Sequence, residues 1–275
     1  MLFQAMRILA VIPVYNPDIS LLVKCIKSFE SGVESIILWR NSPLDPLQLE
    51  GYGLACKLRL AGDGANEGVS KAYNYALEYA REGGFDAIFT MDQDSVWEGF
   101  DRFVSKIEGP SAPPGFYGPG VNDRAFNGGF REALTLISSG TLIPLKVALK
   151  AGGWNEDFKV DGIDNDFFFR CRELGIRGWE VGDCVLHHQL GRVEFKRFAG
   201  IRFRTYNYSP ERLYGIYRNN LIVIKKYSGT REFERAFRRN WFWRKPIRIL
   251  LGEREVCAKF KAICRGVRDA GRYKP

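Results

Sequence analysis

Four short apolar runs, Arg7–Tyr15, Ser35–Trp39, Cys56–Leu60 and Ala87–Met91, recur through the first third of the chain. Asn16-Pro17 stops the first run, Asp18 or Ser20 offers a helix cap, and Leu21, Leu22, Cys25, Ile26 and Phe29 follow at helical spacing. A glycine-rich turn, Gly62–Gly68, leads into a second helix expected over Val69–Arg81. Strands and helices in this order call for an α/β fold, a Rossmann-like, mostly parallel sheet flanked by helices. Ligands of such sheets collect at the carboxyl ends of the strands, where Asn16, Asn41, Asp92 and Asp94 all fall.

The fourth run breaks off in Asp92-Gln93-Asp94-Ser95. Side chains alternate along a strand, so the two carboxylates leave its tip pointing the same way. Two hard oxygen donors so placed suit Mg²⁺ or Mn²⁺ carrying a pyrophosphate. A turn, or a helix cap before Val96-Trp97, uses the same residue types. Farther on, 109–131 reads as a loop, Leu134–Ser138 as a strand, Leu145–Ala151 and Asp164–Leu174 as helices, Cys184–His188 as a strand end and Glu211–Tyr227 as a helix.

Charge is divided unevenly. Residues 192–275 hold 23 Lys+Arg against 7 Asp+Glu, and the residues before them 18 against 25. The basic end suggests an acidic partner: a membrane surface, a phosphorylated substrate or nucleic acid. The six cysteines are scattered without a CxxC or zinc spacing. The N-terminus reads as a strand rather than a signal peptide, and no run approaches the roughly 18 apolar residues of a membrane span. The expected location is cytoplasmic.

Read in order, Ile12-Pro13-Val14-Tyr15-Asn16-Pro17, Arg40-Asn41-Ser42, Asn66-x-Gly68…Asn74, Asp92-Gln93-Asp94-Ser95, Ser139-Gly140-Thr141 and Gly152-Gly153-Trp154-Asn155 resemble the family 2 glycosyltransferases. Asp161…Asp164-Asn165-Asp166-Phe167…Arg170, His188-x-x-Gly191 and Tyr214…Arg218-Asn219 extend the match across roughly residues 7–227. The combination is most similar to the bacterial rhamnosyltransferase branch. This implies a GT-A fold and an inverting, metal-dependent transfer from a nucleotide-sugar, with dTDP-rhamnose favoured, to a glycan or lipid-linked glycan acceptor. Residues 1–227 would form the transferase domain and 228–275 a basic, helical C-terminal extension.

The resemblance assigns roles. Asp94 would bind Mn²⁺ or Mg²⁺ and Asp92 would lie nearer the sugar or ribose. Asp164 matches the catalytic base, with Asp161 a lesser candidate; crowded carboxylates repel, which raises a pKa and makes a better base. The same acids are suited to capping the helix that follows. His188 fits a metal-ligand position, although a lone histidine also serves structure. Arg218 would clamp the diphosphate, unless it sits on a solvated helix face. Arg170 is expected to be an internal partner of the carboxylates. Pro13, Tyr15, Asn16, Asn41, Asn66 and Gly68 would line the nucleotide, the glycines serving close approach or simple turn chemistry. One departure stands out: Arg40 occupies a position where the family carries an acid, which leaves the nucleotide open.

Within 231–248, Phe233, Phe237 and Trp241 are four apart among arginines. Such a stripe suits peripheral contact with anionic lipid at the inner face of the cytoplasmic membrane, or packing on the rest of the protein. Two alternatives use other chemistry. A sugar nucleotidyltransferase would carry a glycine-rich, Arg- or Lys-containing loop where Val14-Tyr15-Asn16-Pro17 stands. A non-enzymatic nucleic-acid binder would use the basic end but leave the carboxylates without a role, so nucleic acid is not the expected partner.

Overall fold

The computed structural model describes residues 5–54, 57–188 and 194–274. Cys56, counted into the third run, and Gly191 of the His-x-x-Gly motif lie outside them. Four strands, β1 (Ile8–Val14), β2 (Ser35–Arg40), β3 (Leu58–Ala61) and β4 (Ala87–Thr90), lie parallel in the order β3-β2-β1-β4. Residues of β1 alternate between two cores. Leu9 and Val11 pack under α2 (Val69–Glu82) with Ala72, Tyr73 and Ala76. Ile8, Ala10 and Ile12 pack under α1 (Ile19–Lys27) with Leu22, Cys25 and Ile26. Asp18 caps α1, its carboxylate accepting from the Leu21 amide at 3.2 Å.

The sheet continues past β4 through β8 (Thr141–Pro144), β6 (Phe116–Val121), β9 (Gly178–His187) and β5 (Val96–Glu98), with β7 (Phe130–Glu132) also on β9. β6 and β9 run with β1–β4, whereas β8, β5 and β7 run against them. The result is a mixed sheet of mostly parallel strands. Helices α3 (Phe100–Glu108), α4 (Leu145–Ala151), α5 (Ile163–Glu173) and α6 (Pro210–Lys226) complete the layers.

Two expectations need correction. The segment 109–131 is not one loop: Phe116–Val121 is an interior strand. Its glycines serve packing, because a Cβ on Gly118 would sit 2.9 Å from Leu136 and one on Gly120 2.5 Å from Ala125. Nor is Leu134–Ser138 a strand; it crosses to β8, which pairs with β4.

A hairpin, β10 (Glu194–Phe198) with β11 (Ile201–Thr205), precedes α6, and after α6 come the helices α7 (Arg231–Phe237), α8 (Lys245–Gly252) and α9 (Val256–Arg272), α7 and α8 being joined by a π-helical turn, Arg238–Arg244. The basic extension is helical, and α9 lies along α6. The stripe of Phe233, Phe237 and Trp241 faces inward rather than toward a lipid surface. Phe237 is buried, Phe233 packs 5.4 Å from Phe169, and Trp241 meets Tyr217 at 6.0 Å. The large apolar side chains exposed in this region are instead Trp243, Ile247 and Leu250. Among the described residues no helix is long and apolar enough to cross a membrane.

A buried charge cluster ties these parts together. Glu253 accepts from Lys245 Nζ at 2.6 Å, Lys259 Nζ at 2.9 Å and Thr205 Oγ1 at 2.5 Å. Burial pushes the Glu253 carboxyl up, but its three donors outweigh that and hold it below the ordinary carboxylate range. Removing the carboxylate leaves two buried ammonium groups unpaired. Glu253→Ala is therefore expected to cost about 3–5 kcal/mol in denaturant unfolding.

Candidate active site

The carboxyl ends of β1, β2, β4, β6 and β9 share one edge of the sheet with the starts of β5 and β8. The chain reversals at this edge bring together residues far apart in sequence. After β4, the Asp92 amide donates to Ser139 Oγ at 3.1 Å, and its carbonyl accepts from Cys25 Sγ at 3.2 Å. Ser139 Oγ lies 3.2 Å from Ser95 Oγ, which lies 2.8 Å from His188 Nδ1. This polar chain ties the Asp-Gln-Asp turn to the end of β9.

His188 is mostly buried, and its Nδ1 lies 3.7 Å from an Asp92 oxygen. Asn122, after β6, brackets its backbone: Oδ1 accepts from the His188 amide at 3.1 Å, and Nδ2 donates to its carbonyl at 2.9 Å. With Nδ1 engaged by Ser95, Nε2 is the nitrogen left for a metal. His187 points elsewhere, to Glu98 at 3.0 Å. Asp92 keeps 39% of its side-chain surface. Desolvation in this recess pushes its carboxyl above the ordinary range against the pull of His188; Asp94 adds to the push and Arg212 opposes it.

The second group of carboxylates stands at the start of α5. Asp161 (φ 53°) and Gly162 (φ 82°) are both left-handed, and this sharp turn sets Asp164 in the first helical turn. The Asn165 amide donates to Asp164 Oδ1 at 2.9 Å. Burial, with the nearby charges of Asp161 and Asp92 adding to it, raises the Asp164 pKa to about 6 against that hydrogen bond. Asp161 is paired with Arg212 Nε at 3.3 Å. Burial raises its pKa, and Arg212 lowers it. Asp166 belongs to the core: wholly buried, it takes Arg170, Lys226 at 3.3 Å and the Tyr227 hydroxyl at 2.8 Å. Arg170 also donates to the carbonyls of Ala151 and Gly153 at 2.8 and 2.9 Å, as an internal partner.

Arg218 is occupied away from the carboxylates. It donates to the Asp157 carbonyl at 3.1 Å and lies 5.8 Å from the Tyr273 ring centroid. The cation that reaches Asp161 and Asp92 is Arg212, at the start of α6. No local pattern singles it out in the sequence. Asn122 was likewise hidden, within a segment that reads as a loop.

The nucleotide-side residues fall at the ends of β1 and β2. Pro13 is within β1, and Tyr15 is half exposed, its amide and carbonyl both held by the Gln93 side chain at 2.8 and 3.1 Å. The Asn16 amide donates to Ser42 Oγ at 2.7 Å. Asn41 is buried, its amide group donating to the Gly68 carbonyl at 3.3 Å and accepting from the Glu67 amide at 3.1 Å. Its role is to join β2 to the glycine turn. Arg40 spends its guanidinium on the Gly62 carbonyl, at 3.1 and 2.5 Å, so the charge that departs from the family pattern serves the same turn. Asn66 is exposed at the turn. Asn74 clamps the Trp154 backbone at 2.7 and 2.9 Å, which explains why two distant motifs occur together.

These residues fit a divalent cation of the Mg²⁺ or Mn²⁺ type in their donor chemistry. Asp94 and His188 would supply one carboxylate oxygen and one imidazole nitrogen. Among the described residues no three His, Cys, Asp or Glu side chains form a complete cage. A site of this kind takes its remaining ligands from substrate phosphates and water. A cavity of about 740 Å³, lined by Asp86, Pro144 and Lys146, lies at the other end of β4 from this chemistry.

No protein-family profile matches the chain. It is 27% identical over 244 residues to the dTDP-rhamnosyl transferase RfbF of Shigella flexneri, with 80% of each chain covered. Among solved structures it is similar to the mannosyltransferase PcManGT of Pyrobaculum calidifontis in complex with GDP-Man and Mn²⁺, at TM-score 0.62 and 13% identity over 99% of this chain and 77% of that one. S. aureus TarS 1-349 with UDP-GlcNAc gives TM-score 0.58 at 17% identity, over 96% and 82% of the two chains. GalNAc-T7 with UDP, GalNAc and Mn²⁺ gives 0.62 at 11%, over 98% and 56%. The fold is that of the GT-A glycosyltransferases.

Gly68 (φ 92°) allows a close approach of two backbones. A Cβ there would lie 2.7 Å from the Lys159 carbonyl, which also accepts from the Val69 amide at 2.8 Å. Gly68→Ala is expected to destabilise the fold by roughly 1–3 kcal/mol, measured by thermal or urea unfolding without any nucleotide.

Proposed function

We propose that this chain is an inverting, divalent-metal-dependent glycosyltransferase that moves rhamnose or a related sugar from a nucleotide-sugar, with dTDP-rhamnose favoured, to a surface glycan or its lipid-linked precursor. One observation carries the reading: a raised-pKa carboxylate, Asp164, feels the charge of Asp92, which in turn feels Asp94, His188 and Arg212. The likeness to RfbF supports the donor and the sugar. The Mn²⁺ of PcManGT and GalNAc-T7 supports the metal.

Asp94 and His188 would hold Mn²⁺ or Mg²⁺, which when bound neutralises charge growing on the leaving diphosphate. Ser95 and Asn122 keep the His188 ring turned to that task. Asp92, whose charge reaches Asp164, would orient the sugar or ribose hydroxyls. Pro13, Tyr15 and Asn16 border the nucleotide, while Asn41, Gly68 and the turn at Asn66 shape its floor. Asp164 takes the proton of the acceptor hydroxyl as its oxygen attacks the anomeric carbon. The bond from that carbon to the diphosphate oxygen breaks on the opposite face, so one displacement inverts the centre. A carboxylate titrating near 6 is ionised at neutral pH yet more basic than an ordinary one, which suits it to this step. Asp161 is held by Arg212, so it positions that arginine rather than taking the proton; Arg212 replaces Arg218 as the cation nearest the reacting charges.

Residues 1–227 hold this machinery, and 228–275 brace it. Contact with anionic lipid at the inner face of the cytoplasmic membrane is part of the proposal, through the outward Trp243, Ile247 and Leu250 among the arginines of 231–248.

Asp94→Ala is expected to abolish metal-dependent binding of dTDP-rhamnose in calorimetry while cooperative unfolding persists; undiminished binding would remove Asp94 as a ligand. Asp164→Asn should lower kcat by about 10²-fold or more with donor affinity held. Only the ionised carboxylate accepts a proton, so kcat/KM should fall as pH drops below about 6. A flat profile from roughly pH 5 to roughly pH 8 would exclude Asp164 as the base.

A further inference from the structure

Between the hairpin β10–β11 and the π-helical turn lies a second cleft, of about 350 Å³, lined by Tyr206, Tyr208, Asn240, Trp241, Arg244, Lys245 and Arg248. Its wall is aromatic. The Tyr206 and Tyr208 rings are nearly parallel, 7° apart with centroids at 5.5 Å, and Trp241 follows at 6.3 Å and 21° from Tyr208. Its rim is cationic. Lys245 pairs with Glu253, a carboxylate it shares with Lys259, whereas among the described residues Arg244 and Arg248 pair with no carboxylate. They stand one helical turn apart, where like charges repel unless an anion lies between them.

The cleft adjoins the reacting centre. The Tyr208 ring that closes it lies 4.7 Å from the Arg212 guanidinium, whose Nε is 3.3 Å from Asp161. The geometry points to an acceptor subsite for a glycosyl phosphate or diphosphate, with the sugar ring on the tyrosines and the phosphate on Arg244 and Arg248. Sugar C–H faces pack well on aromatic faces, and paired guanidiniums bind phosphate oxygens bidentately. The assignment rests on the glycosyltransferase reading and adds to it the chemical class of the acceptor. Ile247 and Leu250 are exposed on the same helix, α8, and Trp243 just before it, so a lipid on the far side of a diphosphate would have an apolar surface at hand.

The test is calorimetric, on the full chain with Mn²⁺ and dTDP. Three probes are titrated: N-acetylglucosamine 1-phosphate, farnesyl-diphospho-N-acetylglucosamine and the uncharged methyl glycoside of N-acetylglucosamine. Both phosphate-bearing probes should bind more tightly than the neutral one, and more weakly as salt rises. Arg244→Gln/Arg248→Gln should weaken both by about tenfold or more and leave dTDP affinity unchanged. Tighter binding of the farnesyl probe would assign the phosphate to a lipid-linked glycan; equal binding would assign it to a soluble sugar phosphate. The cleft assignment is overturned if dTDP binds yet neither charged probe does, if the neutral glycoside binds as tightly, or if the double variant binds like the parent. Failure of dTDP itself to bind with Mn²⁺ would instead overturn the donor reading.

Discussion

Carboxylates gathered at the end of a hydrophobic sheet lose hydration and also repel one another, and the groups around them bear on that cost. Asp92 and Asp94 leave β4 together, while Asp161 and Asp164 arrive on a left-handed turn before α5. Arg212 is the cation that meets both groups, paired with Asp161 and drawing down Asp92. Burial is the larger effect at both remaining carboxyls: it outweighs His188 and Arg212 at Asp92, and at Asp164 the charges of Asp161 and Asp92 add to it, so both stay raised. A site left short of positive charge is chemically suited to a divalent cation, the basis of the metal in the proposed function.

Holding these groups in place falls to hydrogen-bonding residues around them. The Ser139, Ser95 and His188 chain fixes the Asp92 turn, Asn122 brackets His188, and Asn41 joins β2 to the glycine turn. Most of them are buried or half-buried, and each uses both ends of its hydrogen-bonding capacity or nearly so. Such satisfied networks are rigid, as placement of a reacting carbon within a fraction of an ångström requires.

The first third of the fold was legible in the sequence because most of its strand residues are buried and its helices are amphipathic. Ile8–Val14, Ser35–Arg40 and Val69–Glu82 follow from periodicity to within a residue or two. Legibility fails where side chains are small or pairing is remote. Phe116–Val121 reads as a loop because its Pro and Gly fit tight interior contacts, and Leu134–Ser138 carries apolar residues without pairing as a strand. The aromatic stripe of Phe233, Phe237 and Trp241 was visible as a period, but a period does not say which surface covers it; the neighbour is α6. For the site, the short motifs pointed to Asp92, Asp94, Asp164 and His188. Arg212 escaped because its partner is 51 residues away and nothing nearby marks it.

The contact of Gly68 and Val69 with Lys159 joins the turn on the nucleotide side to the segment that carries Asp161. Two stretches of chain about ninety residues apart thereby share one joint without slack. For anyone building chimaeras with relatives, this defines the exchange unit. A block that ends between α2 and β4 would separate the glycine from the carbonyl it was shaped to meet, whereas one that carries residues 62–69 and 157–164 together keeps the seam intact.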